Sequence, residues 1–453
     1  MKKFVDELEH PLEEDSNRHQ LESSGWERFD VHARRVRTLY MERLHIVISP
    51  NIYLRIRTMH DTPLLPGLRN IYVPNNPLLD PSPALFLASG TTLNMVRLDC
   101  NAKSDQEFFV PFLSSLYTKS FGLSHLPLRG AVLNASVEHI YRFTMLQSLE
   151  IRLRNPHLHP QLLYKLGQLP HLLDLIIDTG DVDTPIQPHT DPISFNNSKF
   201  TQLRHLQILG ATTSISCILN ELKGTTTLSA LKIDRVSEAC LAWNTNGAWR
   251  SFFEVISTFS AVEDIEIFNR PRGQYIIFAS SLAPLFRLDN LKSIVINFNI
   301  ELSGSDDDFR VLAGGFSKLK KFVVTGPPIP DKRTLACLYH LSRKCVDLRE
   351  IKIPLSCNIF DNLNAIKRLP HPIVRNNQHP LEKLYIDSGF GQLQPIQLIQ
   401  VARFLDLIFP NLSTLETDNS KSTEAANWEG IHELRLALRD ARTNPSSRSV
   451  SNI

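Results

Sequence analysis

The chain has 453 residues, 42% of them hydrophobic and 21% charged, which excludes disorder throughout and leaves ample material for a buried core. With 49 Lys+Arg against 47 Asp+Glu the formal charge is +2, so no global field exists to gather nucleic acid or anionic lipid. No run reaches the ~20 apolar residues of a membrane span, and residues 1–17 lack the basic-then-apolar layout of a signal peptide; the expectation is a cytoplasmic or nuclear protein. Six scattered cysteines fit reduced thiols better than a disulfide framework, which leaves the sequons at Asn134, Asn196 and Asn411 idle.

Residues 1–25 are rich in Asp and Glu and read as a flexible segment. From there the chain repeats an apolar triplet at i, i+3 and i+5. Copies begin at Val36, Leu68, Leu93, Leu123, Leu146, Leu172, Leu203, Leu228, Val262, Leu291, Leu319, Leu348, Leu381, Leu412 and Ile431. From Val36 to Leu412 the steps run from 23 to 34 residues with a mean of about 29, too even for chance. The i+3 and i+5 side chains share a period of two, which predicts a strand with one buried face. A large apolar residue or Cys often lies three residues before the triplet, as at Phe143, Phe200, Phe259, Phe316 and Phe409, with turn residues between.

Between triplets the period becomes helical. Trp249, Phe252, Phe253, Ile256 and Phe259 form one stripe; Phe309, Leu312, Ala313 and Phe316 a second; Leu398, Val401, Ala402, Leu405, Ile408 and Phe409 a third. Further helices are expected near 159–169, 214–222, 275–288, 331–345 and 358–369. Ser104 and Glu107 have capping-box spacing, and Pro111 is expected to kink or end the helix that follows. A short strand and a three-turn helix cannot hide their apolar faces alone, so stacked copies must share one core. Strands stack at about 4.8 Å and helices at about 10 Å, which bends such a stack with the sheet inside. The predicted fold is therefore α/β: a solenoid with a parallel concave sheet and convex helices over residues 26–436, followed by a polar, disordered tail at 437–453.

A unit of about 29 residues carrying Leu-x-x-Leu-x-Ile resembles the leucine-rich repeat family in its longer, ribonuclease-inhibitor-like form, a horseshoe. Trp26-Glu27-Arg28-Phe29, followed by Ala33-Arg34-Arg35-Val36-Arg37-Thr38-Leu39, resembles the junction leading into the repeats of fungal F-box proteins. That resemblance implies a substrate receptor of ubiquitin ligation, in which an F-box docks on a cullin-type ligase while the repeats hold the substrate. Phe4, Val5, Leu8 and Leu12 are too few for an F-box, so the expectation is that ligase assembly needs one supplied upstream.

Chemistry-bearing motifs are sparse. His157, His159 and His171 are the best metal candidates, but their spacing fits no compact site and the prolines around them describe a surface loop. Cys337, Cys345 and Cys357 lack Cys-x-x-Cys spacing and fall at buried positions. Asp306, Asp307 and Asp308 lack a calcium-loop pattern and suit a helix N-terminus. Arg34, Arg35, Arg37, Arg43, Arg55 and Arg57 form the most basic stretch, without aromatic interleaving for nucleic acid; it reads as a solvated face or a partner of the acidic N-terminus. Ala313-Gly314-Gly315-Phe316 is not a phosphate loop, and no nucleophile elbow or zinc-protease pair occurs.

The expectation is thus a non-enzymatic scaffold without cofactor or metal, binding a protein partner and neither nucleic acid nor membrane. Positions i+2, i+4 and i+6 should line the concave sheet, including Glu266, Phe268, Lys321, Glu350, Lys352, Lys383, Tyr385 and Asp387. The alternatives are a hydrolase or metal enzyme with a dispersed site, and a purely structural spacer.

Overall fold

The structure, a computed structural model, describes residues 23–41, 63–74, 93–100, 105–130, 139–153, 160–180, 200–234, 246–268, 275–297, 300–325, 333–356, 358–370, 379–387, 390, 393–417 and 423–443. The chain divides into two units, Met1–Leu209 and Gly210–Ile453, and both are mixed α/β with parallel strands.

In the first unit seven strands lie side by side in chain order: β1 (Thr38–Tyr40), β2 (Asn70–Val73), β3 (Met95–Cys100), β4 (His125–Gly130), β5 (Ser148–Leu153), β6 (Asp174–Asp178) and β7 (His205–Leu209). Every neighbouring pair is parallel, so each connection must return outside the sheet. Helix α1 (Ser23–Ala33) precedes β1, while α2 (Asp105–Lys119) and α3 (Pro160–Leu166) lie on connections. The triplets decide which strand face is hidden: Val96 and Leu98, Leu149 and Ile151, and Leu206 and Ile208 are no more than 1% exposed. The pattern fades at the sheet's first strand, where Val36 and Leu39 are half-buried.

A second constraint recurs just before each strand. The Arg37 carbonyl accepts hydrogen bonds from the amides of both Arg69 and Asn70, Arg69 accepts from Asn94 and Met95, and the series continues to Leu173, which accepts from Arg204 and His205, all at 2.8–3.1 Å. One carbonyl thereby uses both lone pairs to hold the next strand in register.

The second unit has β8 (Ala230–Asp234), β9 (Asp264–Phe268), β11 (Ser293–Asn297), β13 (Lys321–Thr325), β14 (Glu350–Pro354), β15 (Lys383–Asp387) and β16 (Thr414–Glu416) as parallel neighbours. Their starts carry the same shared-carbonyl bonds, from Ser229 to Glu382, at 2.7–3.2 Å. A separate parallel pair joins β10 (Tyr275–Phe278) to β12 (Ile300–Ser303). The helices are α4 (Thr212–Glu221), α5 (Asn246–Ile256), α6 (Asp306–Gly315), α7 (Ala336–Lys344), α8 (Ile359–Arg368), α9 (Pro395–Ile408) and α10 (Thr423–Thr443). Phe309 of α6 meets Phe322 of β13 edge-on at 6.3 Å, which puts this helix against the triplet face and leaves positions i+2, i+4 and i+6 on the other.

Each of the three acids before Phe309 has an assignable role. Ser305 and Asp308 close a capping box, and Asp307 pairs with Arg310 at 3.1 Å. The Asp306 carboxylate accepts from the Thr334 amide at 2.9 Å and hydroxyl at 2.6 Å, tying α6 to the segment before α7. Gly315 is required by packing: a Cβ there would lie 2.2 Å from the Phe286 ring.

Three local expectations are corrected. The helix containing Pro111 continues to Lys119, because the proline lies on the exposed side, where the carbonyl it leaves without a donor can meet water. Residues 275–288 are not one helix: Tyr-Ile-Ile-Phe pairs as β10, and Pro284 lies in a 3-10 segment, Ala279–Arg287. The Ile431 triplet belongs to α10, where Trp428, Ile431 and Arg435 are buried at helical spacing while Leu434 and Leu436 are only half-buried. That helix runs past residue 436. The capping residue Ser104 lies outside the described residues.

Before β15, His379 is almost fully buried. Its Nδ1 accepts from the Leu381 amide at 3.2 Å, so Nε2 carries the proton that it donates to the Cys345 carbonyl at 3.2 Å. Burial pushes its pKa down to about 4. The unfolded chain, with the ordinary value of 6.5, binds this proton first, so stability is complete above that value and falls as pH drops towards 4. Equilibrium urea unfolding at pH 7 and pH 4 should show up to about 3 kcal/mol lost at this site. His379→Gln should flatten that part of the pH dependence.

Leu206→Asp, at a site 1% exposed, should cost several kcal/mol, roughly 3 or more, because a carboxylate is buried without a partner. Lys232 reads from sequence as a free surface lysine, yet its ammonium sits 5.0 Å from the Phe268 ring centroid and its backbone is in register with Glu266. Lys232→Asp should therefore cost about 1 kcal/mol, through a lost cation–π contact and a new like-charge pair. Thermal unfolding of both variants checks the two faces.

Candidate functional site

The eight expected surface residues all lie on strands of the second unit. Glu266 and Phe268 are on β9, Lys321 on β13, Glu350 and Lys352 on β14, and Lys383, Tyr385 and Asp387 on β15. Parallel register sorts most of them into two rows. One runs Asp264, Ser293, Lys321, Glu350, Lys383 and Thr414; the other runs Lys232, Glu266, Val295, Val323, Lys352, Tyr385 and Glu416. At about 4.8 Å per strand, β9 to β15 spans roughly 19 Å, the scale of a protein-contact patch.

The structure joins these residues in two groups. On β13–β15, Lys321 Nζ lies 3.2 Å from Glu350 Oε1, and Lys352 is in register with Tyr385. Partial burial raises the Tyr385 pKa, with Glu416 and Glu350 adding and Lys352 and Lys321 opposing, so its hydroxyl stays a donor at neutral pH. Glu266, Phe268 and Lys232 form the other group, on β8 and β9. Asp387 closes β15 with its backbone in register with Pro354.

What separates the groups was not among the expected residues. Val295 and Val323 occupy the open-face row yet are only 6% and 8% exposed. They are aliphatic, adjacent in register and surrounded by half-buried charged side chains. The signal was available: Ile294-Val295-Ile296 and Phe322-Val323-Val324 break the apolar-polar alternation that a strand with one wet face should show.

The first unit has an open face of different character. Tyr40 and Tyr72 stack at 4.4 Å between centroids. Arg97 pairs with Asp99 at 3.1 Å, and Glu150, 8% exposed, accepts two bonds from Arg129 at 3.0 and 3.2 Å and one from Arg152 at 2.6 Å. Three arginines and the acids Asp99, Glu150 and Asp178 balance here. Most occupy the same i+4 and i+6 offsets used to choose residues in the second unit, so periodicity could have found them.

The reactive candidates fare as follows. His157, His159, Cys240 and Cys357 lie outside the described residues, as do Asn134 and Asn196, and His171 is an exposed turn residue. Cys337 and Cys345 are buried; burial raises both thiols, Cys345 to about 12, which removes the thiolate a nucleophile needs. Arg37 donates to the Gly67 carbonyl at 2.9 Å, whereas Arg43, Arg55 and Arg57 lie outside the described residues. Asn411 donates its side-chain amide to the His379 carbonyl at 3.1 Å. Among the described residues no group of three His, Cys, Asp or Glu could hold a metal, and no helix is long and apolar enough to cross a membrane.

No protein-family model matches the chain, and no curated protein matches it. The functional argument therefore rests on the surface itself.

Glu150→Gln should cost about 2 kcal/mol, because it leaves two arginines facing each other across a half-buried site. A double-mutant cycle with Arg129→Met, read by urea unfolding, should return a coupling of about 1 kcal/mol or more.

Proposed function

We propose that this protein is a non-catalytic interaction scaffold: a leucine-rich-repeat solenoid of the ribonuclease-inhibitor-like kind, whose concave sheet holds a protein partner. The observation that carries the reading is the open strand face from β9 to β16, with two sheltered valines at its centre and charged side chains around them. An apolar centre inside a polar rim is how protein interfaces exclude water from their strongest contacts. The resemblance to fungal F-box proteins supplies a narrower role, reception of a substrate for ubiquitin ligation, with a cullin-type ligase joined through an F-box module. Tyr385 and Lys352, adjacent in register, are the contacts expected to matter most.

The test is affinity capture from the native cell with the full chain as bait. Lys352→Glu with Tyr385→Ala should lose the principal partner, while Lys344→Glu on exposed α7 surface should keep it. Capture of the same proteins by all three baits would reject the open face as the binding surface and favour a spacer.

A further inference from the structure

The turns that lead into β1 and β2 carry a charge imbalance that the open face from β3 to β6 lacks. Arg34, Arg35, Arg37 and Arg69 are all exposed there, and none has an ion pair among the described residues. Arg37 donates to the Gly67 carbonyl at 2.9 Å, and a Cβ at Gly67 would lie 2.6 Å from the same guanidinium, so the two turns are in direct contact. Over residues 23–41 and 63–74 Arg28 joins these four, and only Glu27 and Asp30 oppose them, a surplus of three positive charges. On the next strand, β3, Arg97 is balanced by Asp99. Along β1 and β2 the charged edge gives way first to polar and then to aromatic side chains. Asn70 donates to the Thr38 hydroxyl at 3.2 Å, and beyond them the Tyr40 and Tyr72 rings stack with 12° between their planes. Tyr72 donates its hydroxyl to Met95 Sδ at 3.5 Å, which anchors the inner ring. Tyr40 is 50% exposed, and among the described residues β1 pairs with no strand but β2, so the outer side of this ring borders no further strand.

We infer that this edge of the first unit binds single-stranded nucleic acid, with a base stacked on Tyr40 and the phosphates of the strand on Arg34, Arg35, Arg37 and Arg69. From Arg69 to Tyr72 is three residues, roughly 10 Å of strand, a length that an arginine side chain and one nucleotide bridge. Thr38 and Asn70 lie between, where the sugar would pass. A planar base continues a stack of tyrosine rings, and exposed guanidinium groups follow a phosphate backbone without first giving up a carboxylate. A single strand fits better than the other anionic chains. An acidic polypeptide would satisfy the arginines but brings no flat group to cover Tyr40, and a duplex keeps its bases stacked on one another. The basic stretch lacks interleaved aromatics in the sequence because Tyr72 stands 32 residues beyond Tyr40; parallel register is what makes the platform.

The experiment uses the full chain and fluorescence anisotropy with three labelled probes: a short oligothymidylate, the same strand in a duplex, and a short peptide of Glu. The single strand should bind saturably and more tightly than the other two. Tyr40→Ala should weaken that binding about tenfold, while Tyr40→Phe, which keeps the ring, should retain it. Arg35→Glu with Arg69→Glu should also weaken it about tenfold and make the dependence of log affinity on log salt shallower by about 1.4. All three positions are exposed, and an unchanged unfolding midpoint will show that each variant is folded. Lys352→Glu with Tyr385→Ala, on the second unit, should leave oligonucleotide binding unchanged, so this result and the cellular capture of a protein partner stand or fall separately. Equal or tighter binding of the duplex or the Glu peptide, indifference to Tyr40→Ala, loss of binding in the second-unit variant, or no binding of any probe would overturn the inference.

Discussion

The starts of β2–β7, and of β9, β11 and β13–β16, are each held to the strand before by a single carbonyl that accepts two consecutive amides, and the rest of each unit is placed by that bond. A one-residue slip would break it and would also turn every side chain of the strand to the opposite face. The buried triplet enforces the same register independently, since residues such as Leu206 and Ile208 would then face water. Individually these hydrogen bonds contribute about 1 kcal/mol and each hidden aliphatic side chain about 1.5–3 kcal/mol. Because both terms favour one register at every strand, they specify the pairing even where the chain between strands varies.

A sheet built this way has a problem at its last strand, whose far edge pairs with no further strand among the described residues. In the second unit β16 is only three residues long, and α10 packs beside it. Trp428 and Ile431 provide the apolar contacts, and the Trp428 ring lies 5.1 Å from Phe390. Arg435, fully buried, donates Nη2 to the Leu412 carbonyl. Short length and a covering helix are common ways of blunting an edge against unwanted pairing.

The strands were legible in the sequence because their period is two and their triplets are almost all aliphatic. The helices were legible where a stripe of Phe, Leu or Ile continued for three turns, as in α5 and α9. Legibility failed where a local rule had two solutions. Ile431 satisfies a strand triplet and a helical stripe together, and the surrounding high-propensity residues decide for helix. Tyr275–Phe278 looked helical only because Leu282 and Leu285 follow at compatible spacing. For the site, alternation placed the eight residues on strands of the second unit, but it could not say which would touch. Lys321 with Glu350, and Lys232 with Phe268, depend on inter-strand register and rotamers, and the valines between the groups were hidden by the assumption that outward positions are polar.

The shared carbonyls also govern how such a chain can change length. From the first triplet residue to the third the spacing is five residues in every copy, while successive copies stand 23 to 34 residues apart. All of that variation therefore falls after one strand and before the next turn, on the return path. An insertion there lengthens a connection and leaves every strand paired, whereas one inside the triplet would misalign two neighbours at once. Over generations of descent, sequence drift should accumulate as gains and losses on the helical side, while the open-face rows keep a fixed pitch.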